Sequence, residues 1–292
     1  MTNMALPNSL QAGLDREISL FHDEYSKNFL KGESKDQEIG SPYFLHQPGS
    51  HTAILLIHGF MAAPHEVREW ADDLHAKGYT VYAPRLAGHG TSAIDLGRRS
   101  FSDWVDSVER GYAILSSFSR RIIVGGFSTG AGLALHQAVH HPERYIAVLS
   151  VSAPMKFSSI SSRFSEMIEL WNHCCRFLNL DSFQKPFATN HPDNPEINYH
   201  RCPIHGFNQV KALMRDVDKG LPGVSIPALI IQGSRDPKVS PMSGKMICNR
   251  IDSKIKTYVE IDHHLHGIVR GDVGKKVFSA VHDFLSQIVG NT

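Results

Sequence analysis

Cysteine is scarce in this sequence: four residues in 292, with Cys174 and Cys175 adjacent and Cys202 and Cys248 far apart. No C-x-x-C pair and no zinc-type spacing occurs, so neither a redox dithiol nor a cysteine zinc site is expected. Reduced thiols in a cytoplasmic protein are the plain expectation. Charge of one sign is also missing. Thirty basic residues stand against 29 acidic ones, a formal net charge of +1, and no nucleic-acid partner is expected. No apolar run approaches the roughly 20 residues that span a bilayer, so stable membrane insertion is not expected. Met1 to Leu14 has neither a basic start nor the apolar stretch of a signal peptide.

What the chain does contain is a core. Hydrophobic residues make up 41% of it, and 292 residues suit one large α/β domain with an insertion, or two small domains. Ile18, Phe21, Tyr25, Phe29 and Leu30 recur at helical spacing before a polar stretch, which predicts an N-terminal helical extension over 1–40 that packs on its own domain. Strands and helices then alternate. Strands are expected at Tyr43–Leu45, Ala53–Ile57, Tyr79–Ala83, Arg121–Gly125, Tyr145–Val151, Ala228–Gln232 and Thr257–Ile261. Helices are expected at Pro64–Lys77, Phe101–Ser117, Leu133–His140 and Val273–Val289. Such alternation predicts a mostly parallel sheet covered on both faces. Residues 41–154 and 227–292 form that core. Between them, 155–226 is too long for a structureless loop and carries Phe157, Phe164, Trp171, Phe177, Phe183 and Phe187. A helical cap over the sheet's C-terminal edge is expected there.

The most informative passage runs from Ile122 to Gly132. A β-branched run feeds Gly126-Phe127-Ser128-Thr129-Gly130, and a helix-compatible stretch follows. This is the strand–turn–helix setting of a nucleophile elbow. A serine on so sharp a turn leaves no room for side chains two residues either way, which explains Gly126 and Gly130. The bland alternative is a glycine-rich turn whose serine only caps a helix. Partners further along the chain favour the catalytic reading. Asp236 sits in a turn just past the buried strand Ala228–Gln232, and His263, His264 and His266 follow the last strand. The order Ser, Asp, His suits an orienting carboxylate and a base for the serine. Asp236 as a mere turn residue and the histidines as metal ligands are the weaker readings. His58-Gly59-Phe60 follows the strand Ala53–Ile57. The Phe60 N–H, with that of Thr129, would form an oxyanion hole, and His58 would hold the loop.

These segments resemble the α/β-hydrolases of the carboxylesterase and monoacylglycerol-lipase type. The resemblance rests on His58-Gly59-Phe60, the run Ala83 to Gly90, Asp103-Trp104 with Gly111-Tyr112, the Ser128 motif, and Gly233-Ser234-Arg235-Asp236. It covers about residues 43–290 in order and spacing. It implies an α/β-hydrolase fold of about eight strands with an inserted cap, no cofactor, and hydrolysis through an acyl-enzyme. Ser128, Asp236 and His266 would then be the triad, acting on a small to medium apolar ester. His266 is favoured because His266-Gly267-Ile268-Val269 resembles the catalytic-histidine stretch of bacterial members. His264 is the alternative base, since only a short loop would carry it to Ser128. The N-terminal extension and the extra histidines depart from the family pattern. A thioesterase, an amide or C–C hydrolase with the same triad, and a non-catalytic ligand receptor stay open. The sequence leaves the oligomeric state undefined.

Overall fold

The computed structural model describes residues 7–158 and 185–289. In chain order its elements are α1 (Asn8–Asn28), α2 (Gln37–Gly40), β1 (Tyr43–Leu45), β2 (Thr52–Ile57), α3 (Arg68–Ala76), β3 (Thr80–Ala83), α4 (Ala93–Leu96), α5 (Phe101–Ser116), β4 (Arg121–Phe127), α6 (Thr129–His140), β5 (Ala147–Val151), β6 (Phe187–Thr189), β7 (Arg201–Pro203), α7 (Ile204–Gly220), β8 (Ala228–Gly233), α8 (Met242–Arg250), β9 (Lys256–Ile261) and α9 (Gly271–Val289). Seven strands form one sheet in the order β1-β3-β2-β4-β5-β8-β9. All neighbours are parallel except β1, which runs antiparallel to β3 at the edge. This is the α/β-hydrolase arrangement, with seven strands among the described residues where about eight were expected.

Both faces of the sheet are covered, which is why β2, β5 and β8 are buried along their whole length. Side chains alternate strictly. Leu55, Ile57, Val124, Val148 and Ile230 face a layer that includes Trp104 and Leu115 of α5, Leu135 of α6 and Leu213 of α7. Ile54, Leu56, Ile123, Leu149 and Ile231 face Trp70 of α3 and Val277, Val281 and Phe284 of α9. From β2 the chain moves outward to β3 and then returns to β4 on the other side of β2. The carboxyl ends of β2 and β4 therefore flank the topological switch point, where such sheets open a crevice for ligands.

The extension packs on the core through a stripe offset from the expected one. Leu10, Leu14, Glu17 and Phe21 are buried, while Ile18 and Phe29 are exposed. The offset comes from charge: Arg110 pairs with Glu17, and Arg85 and Arg99 pair with Glu24, so the glutamates face inward. Residues 187–203 make a small antiparallel hairpin of β6 and β7. Helix α7 lies against α5 and α6 with Val210, Leu213, Met214 and Val217 buried. Residues 204–220, which fall inside the expected cap span, thus pack directly on two helices of the sheet's covering layer. Phe164, Trp171, Phe177 and Phe183 lie outside the described residues, as do Cys174 and Cys175. Helix α8 had no expectation, because its short run has little apolar periodicity.

Candidate active site

Strand β4 ends in a sharp turn. Ser128 sits at φ 55° and ψ −119°, in a region that non-glycine residues rarely adopt, and α6 begins at the next residue. The Ser128 N–H donates to the Val151 carbonyl at 2.8 Å, which pins the turn to β5. The two glycines are required by contact. A Cβ on Gly126 would lie 2.4 Å from Gly130, and one on Gly130 would lie 2.1 Å from the Ile57 carbonyl oxygen. The elbow can approach β2 only because both side chains are absent.

Asp236 follows β8 and His266 follows β9, so adjacent parallel strands deliver both to the edge from which Ser128 emerges. His266 Nε2 is 2.9 Å from Ser128 Oγ, and His266 Nδ1 is 2.6 Å from Asp236 Oδ2. The other carboxylate oxygen accepts from the N–H groups of Lys238 and Val239 at 2.8 and 3.0 Å. Asp236 is thereby held on both oxygens, and its side chain is almost wholly buried. With a carboxylate at Nδ1, the neutral ring carries its proton there and leaves Nε2 free to accept from the serine hydroxyl. The Phe127 ring packs 4.9 Å from the imidazole, centroid to centroid. His264 is exposed and packs at a tilt against His263, with no bond to Ser128 or Asp236 among the described residues. Phe60 and Thr129 line the same cavity as Ser128. Thr129 opens α6, so its N–H has no carbonyl one turn earlier within the helix.

A family model described as serine aminopeptidase, S33 (Hydrolase_4) matches residues 49–272. The chain belongs to this family. A thermostable monoacylglycerol lipase of Bacillus sp. (strain H-257) is 34% identical over 213 residues, covering 73% of this chain and 82% of the relative. A carboxylesterase of Bacillus subtilis (strain 168) is 24% identical over 247 residues, 82% and 94% of the two chains. Among solved structures, the monoacylglycerol lipase of Paleococcus ferrophilus superposes with a TM-score of 0.70 at 19% identity, covering 84% of this chain and 98% of that one. That likeness carries the fold.

In this Hydrolase_4 chain, two features of the site had no signal in the sequence. Glu66, in a 3-10 turn before α3, is buried and accepts the Gly59 N–H at 2.7 Å. Burial raises its carboxyl pKa above the ordinary value, against the Gly59 bond, the nearby His266 and a bond from Asn198. It fixes the loop that presents Phe60. Asp193, from the β6–β7 excursion, accepts from the Gly267 N–H at 3.1 Å and pairs with Lys238 at 3.3 Å. One carboxylate therefore ties the loop bearing His266 to the loop bearing Asp236. The expected role of His58 in the loop is visible in its bonds: Nδ1–H donates to the Gly59 carbonyl at 2.9 Å, and Nε2 accepts the Leu86 N–H at 3.2 Å. Both bonds need a neutral ring, and burial pushes its pKa down to about 3. Cys202 also lines the cavity, but burial pushes its thiol up to about 12, so it offers no thiolate near neutral pH.

Proposed function

We propose that this carboxylic-ester hydrolase works through Ser128 as nucleophile, His266 as base and then acid, and Asp236 as the group that orients the imidazole. The continuous hydrogen-bonded line from Asp236 through His266 to Ser128 carries the reading. Ser128 Oγ attacks the ester carbonyl carbon as its proton passes to His266 Nε2. The carbonyl oxygen becomes an oxyanion, held by the N–H groups of Phe60 and Thr129; removing one such donor costs about 3–4 kcal/mol in a characterised serine enzyme. Asp236 stabilises the imidazolium without taking its proton. His266 then protonates the leaving alkoxide, the C–O bond breaks, and an alcohol departs from the acyl-enzyme. Water repeats the cycle, releasing the acid and restoring Ser128.

The substrate class we infer is an ester of an apolar acyl chain with a small polyhydroxylated alcohol, of the monoacylglycerol type. The cavity above Ser128 measures about 470 Å³ and has two chemistries. Phe60, Phe157, Ile204, Phe207 and Val210 supply apolar lining, and Glu66, Asn194, Asn198, Asp193 and Lys238 supply polar lining. A chain fits the first, and hydroxyl groups find donors and acceptors in the second. The 34% identical Bacillus relative, named a monoacylglycerol lipase, supports the same class. The test is a fluorophosphonate probe on wild type and Ser128→Ala, with turnover of monoacylglycerols and matched ethyl esters. Wild type should be labelled and Ser128→Ala should not, with turnover lowered more than about a thousandfold. An unlabelled, folded wild type overturns the serine assignment. Equal turnover of glyceryl and ethyl esters overturns the alcohol class alone.

A further inference from the structure

Helices α6 and α7 touch without spacers at two places. A Cβ on Gly132 would lie 2.6 Å from Met214 Sδ, and one on Gly220 would lie 2.1 Å from Val139 Cγ1. These contacts advance together along both helices, so the pair runs parallel at close range and its separation is fixed at each end. Between them three polar side chains meet. His136 and His140, one turn apart on the same face of α6, both turn Nε2 toward Asp216 of α7. His140 Nε2 is 2.8 Å and His136 Nε2 3.6 Å from Asp216 Oδ2, and the potential ligand atoms of the three residues lie within 4.8 Å of one another.

We propose that His136, His140 and Asp216 form a binding site for a divalent transition metal of the zinc type. Both rings aim the same nitrogen at one carboxylate oxygen, so a single cation placed between them would meet all three groups. Two imidazoles and one carboxylate are a ligand set for zinc and its neighbours, with further positions left for water. Calcium and magnesium, which take oxygen ligands, are poorly matched. The frame is preorganised, because the glycine contacts on either side already set the helix separation. Solvent can reach the site: the His140 and Asp216 side chains are 44% and 40% exposed. The His136 Nδ1 is buried and has no hydrogen-bond partner among the described residues. A coordinated histidine normally donates from that nitrogen, and loss of such a bond weakens metal sites by about 10- to 100-fold. Binding weaker than that of a zinc site whose histidines are all so supported follows.

The site stands apart from the ester chemistry. His136 is eight residues beyond Ser128 on α6, about 12 Å along the helix axis. Its effect is mechanical, since the ion would clamp α6 to α7, the helix that brings Phe207 and Val210 to the cavity wall.

The test uses the full chain, stripped with a chelator and titrated with Zn²⁺ against a fluorescent competitor, beside thermal melts. Wild type should take up zinc with micromolar affinity and melt at a higher temperature in its presence, as binding to the folded state requires. Mg²⁺ should do neither. His140→Ala and Asp216→Asn alter exposed groups, and each should weaken this uptake at least tenfold and abolish the shift while keeping the fold by circular dichroism. A His263→Ala/His264→Ala variant should bind as wild type does. Undiminished zinc binding in both His140→Ala and Asp216→Asn, or none in wild type, overturns the proposal. So does a thermal shift that survives in the two variants but disappears in His263→Ala/His264→Ala. If either altered chain fails to fold, Co²⁺ added to wild type must give the visible absorption of nitrogen–oxygen coordination, and its absence counts against the site equally.

Discussion

His58 shows how one buried group sets the acid limit of the fold. Its ordinary pKa is 6.5, and burial lowers it to about 3. Between those values the unfolded chain binds a proton that the folded chain refuses, so stability present above pH 6.5 is lost as pH falls toward 3. The loss is about 1.4 kcal/mol per pH unit for each such group. His89, packed edge-on against His58 at 5.0 Å, is also pushed down by burial and adds a second proton. Urea unfolding followed from about pH 7 to pH 4 should show the steep slope. His58→Gln should lower stability at pH 7 but flatten that slope by about one proton; an unchanged slope assigns the acid sensitivity elsewhere. A second prediction at this scale separates the histidines. His266→Ala should lose activity by about the factor expected of a triad knockout, a thousandfold or more, and His264→Ala should stay within about twofold of wild type. The reverse pattern in purified protein removes His266 from its role. The choice between them was only partly legible in the sequence, because both follow β9 within five residues of Ile261. In three dimensions the two differ in direction: His266 turns inward to Asp236, while His264 faces solvent.

At the scale of elements, the N-terminal extension is a structural part of the site's support. Glu24 of α1 pairs with Arg85, whose side chain is 4% exposed, and Arg85 also donates to the carbonyls of Leu86 and His89. Glu24→Gln leaves that guanidinium buried without its counter-charge, a change that costs about 3 kcal/mol or more. Thermal melts should show it, and Glu24→Gln with Arg85→Met should recover part of the loss. Beyond α1, Glu33 pairs with Arg201 at the β6–β7 hairpin, and Lys35 donates to the Pro195 carbonyl. The same excursion carries Asp193, which bridges Lys238 and the Gly267 N–H. Asp193→Ala should therefore lower kcat by about 10- to 100-fold, the range for a small misplacement of catalytic groups, with the fluorophosphonate reaction slowed in step. An unaltered kcat would mean the two loops hold their geometry without it. Much of the element order was readable from periodicity and glycine placement, since β2, β4, β5 and β8 are predominantly apolar runs. The stripe of α1 was misplaced because the residues it buries include Glu17, whose partner Arg110 lies 93 residues away. No local pattern encodes such a pair. For the same reason the partners of α7 were not legible: its apolar face shows that it packs, but not on what.

For the molecule as a whole, the switch point of the sheet determines where chemistry and selectivity meet. Ser128 and the Phe60 loop flank it, and Asp236 and His266 reach it from β8 and β9 beyond β5, so the proposed catalytic groups all follow strands of the one sheet. Much of the cavity wall comes from elsewhere: Phe157 after β5, the β6–β7 excursion, and α7. Rate and preference should then be separable by mutation. Phe207 packs at a tilt against Phe157, 4.8 Å between centroids, and both line the cavity. Phe207→Ala removes that wall and should favour longer acyl chains, raising the kcat/KM ratio of dodecanoyl over butanoyl esters by about tenfold, since a methylene's worth of contact is about 1–3 kcal/mol. Asn198, bonded to Glu66 in the polar part, acts on the other half of the substrate. Asn198→Ala should leave the chain-length ratio unchanged and reduce preference for glyceryl over ethyl esters by about tenfold, the worth of one lost hydrogen bond. Measured together on one set of esters, the two variants should shift different ratios. If each lowers all substrates by a common factor, the walls serve only to position the triad, and the two-part cavity is not what selects the substrate.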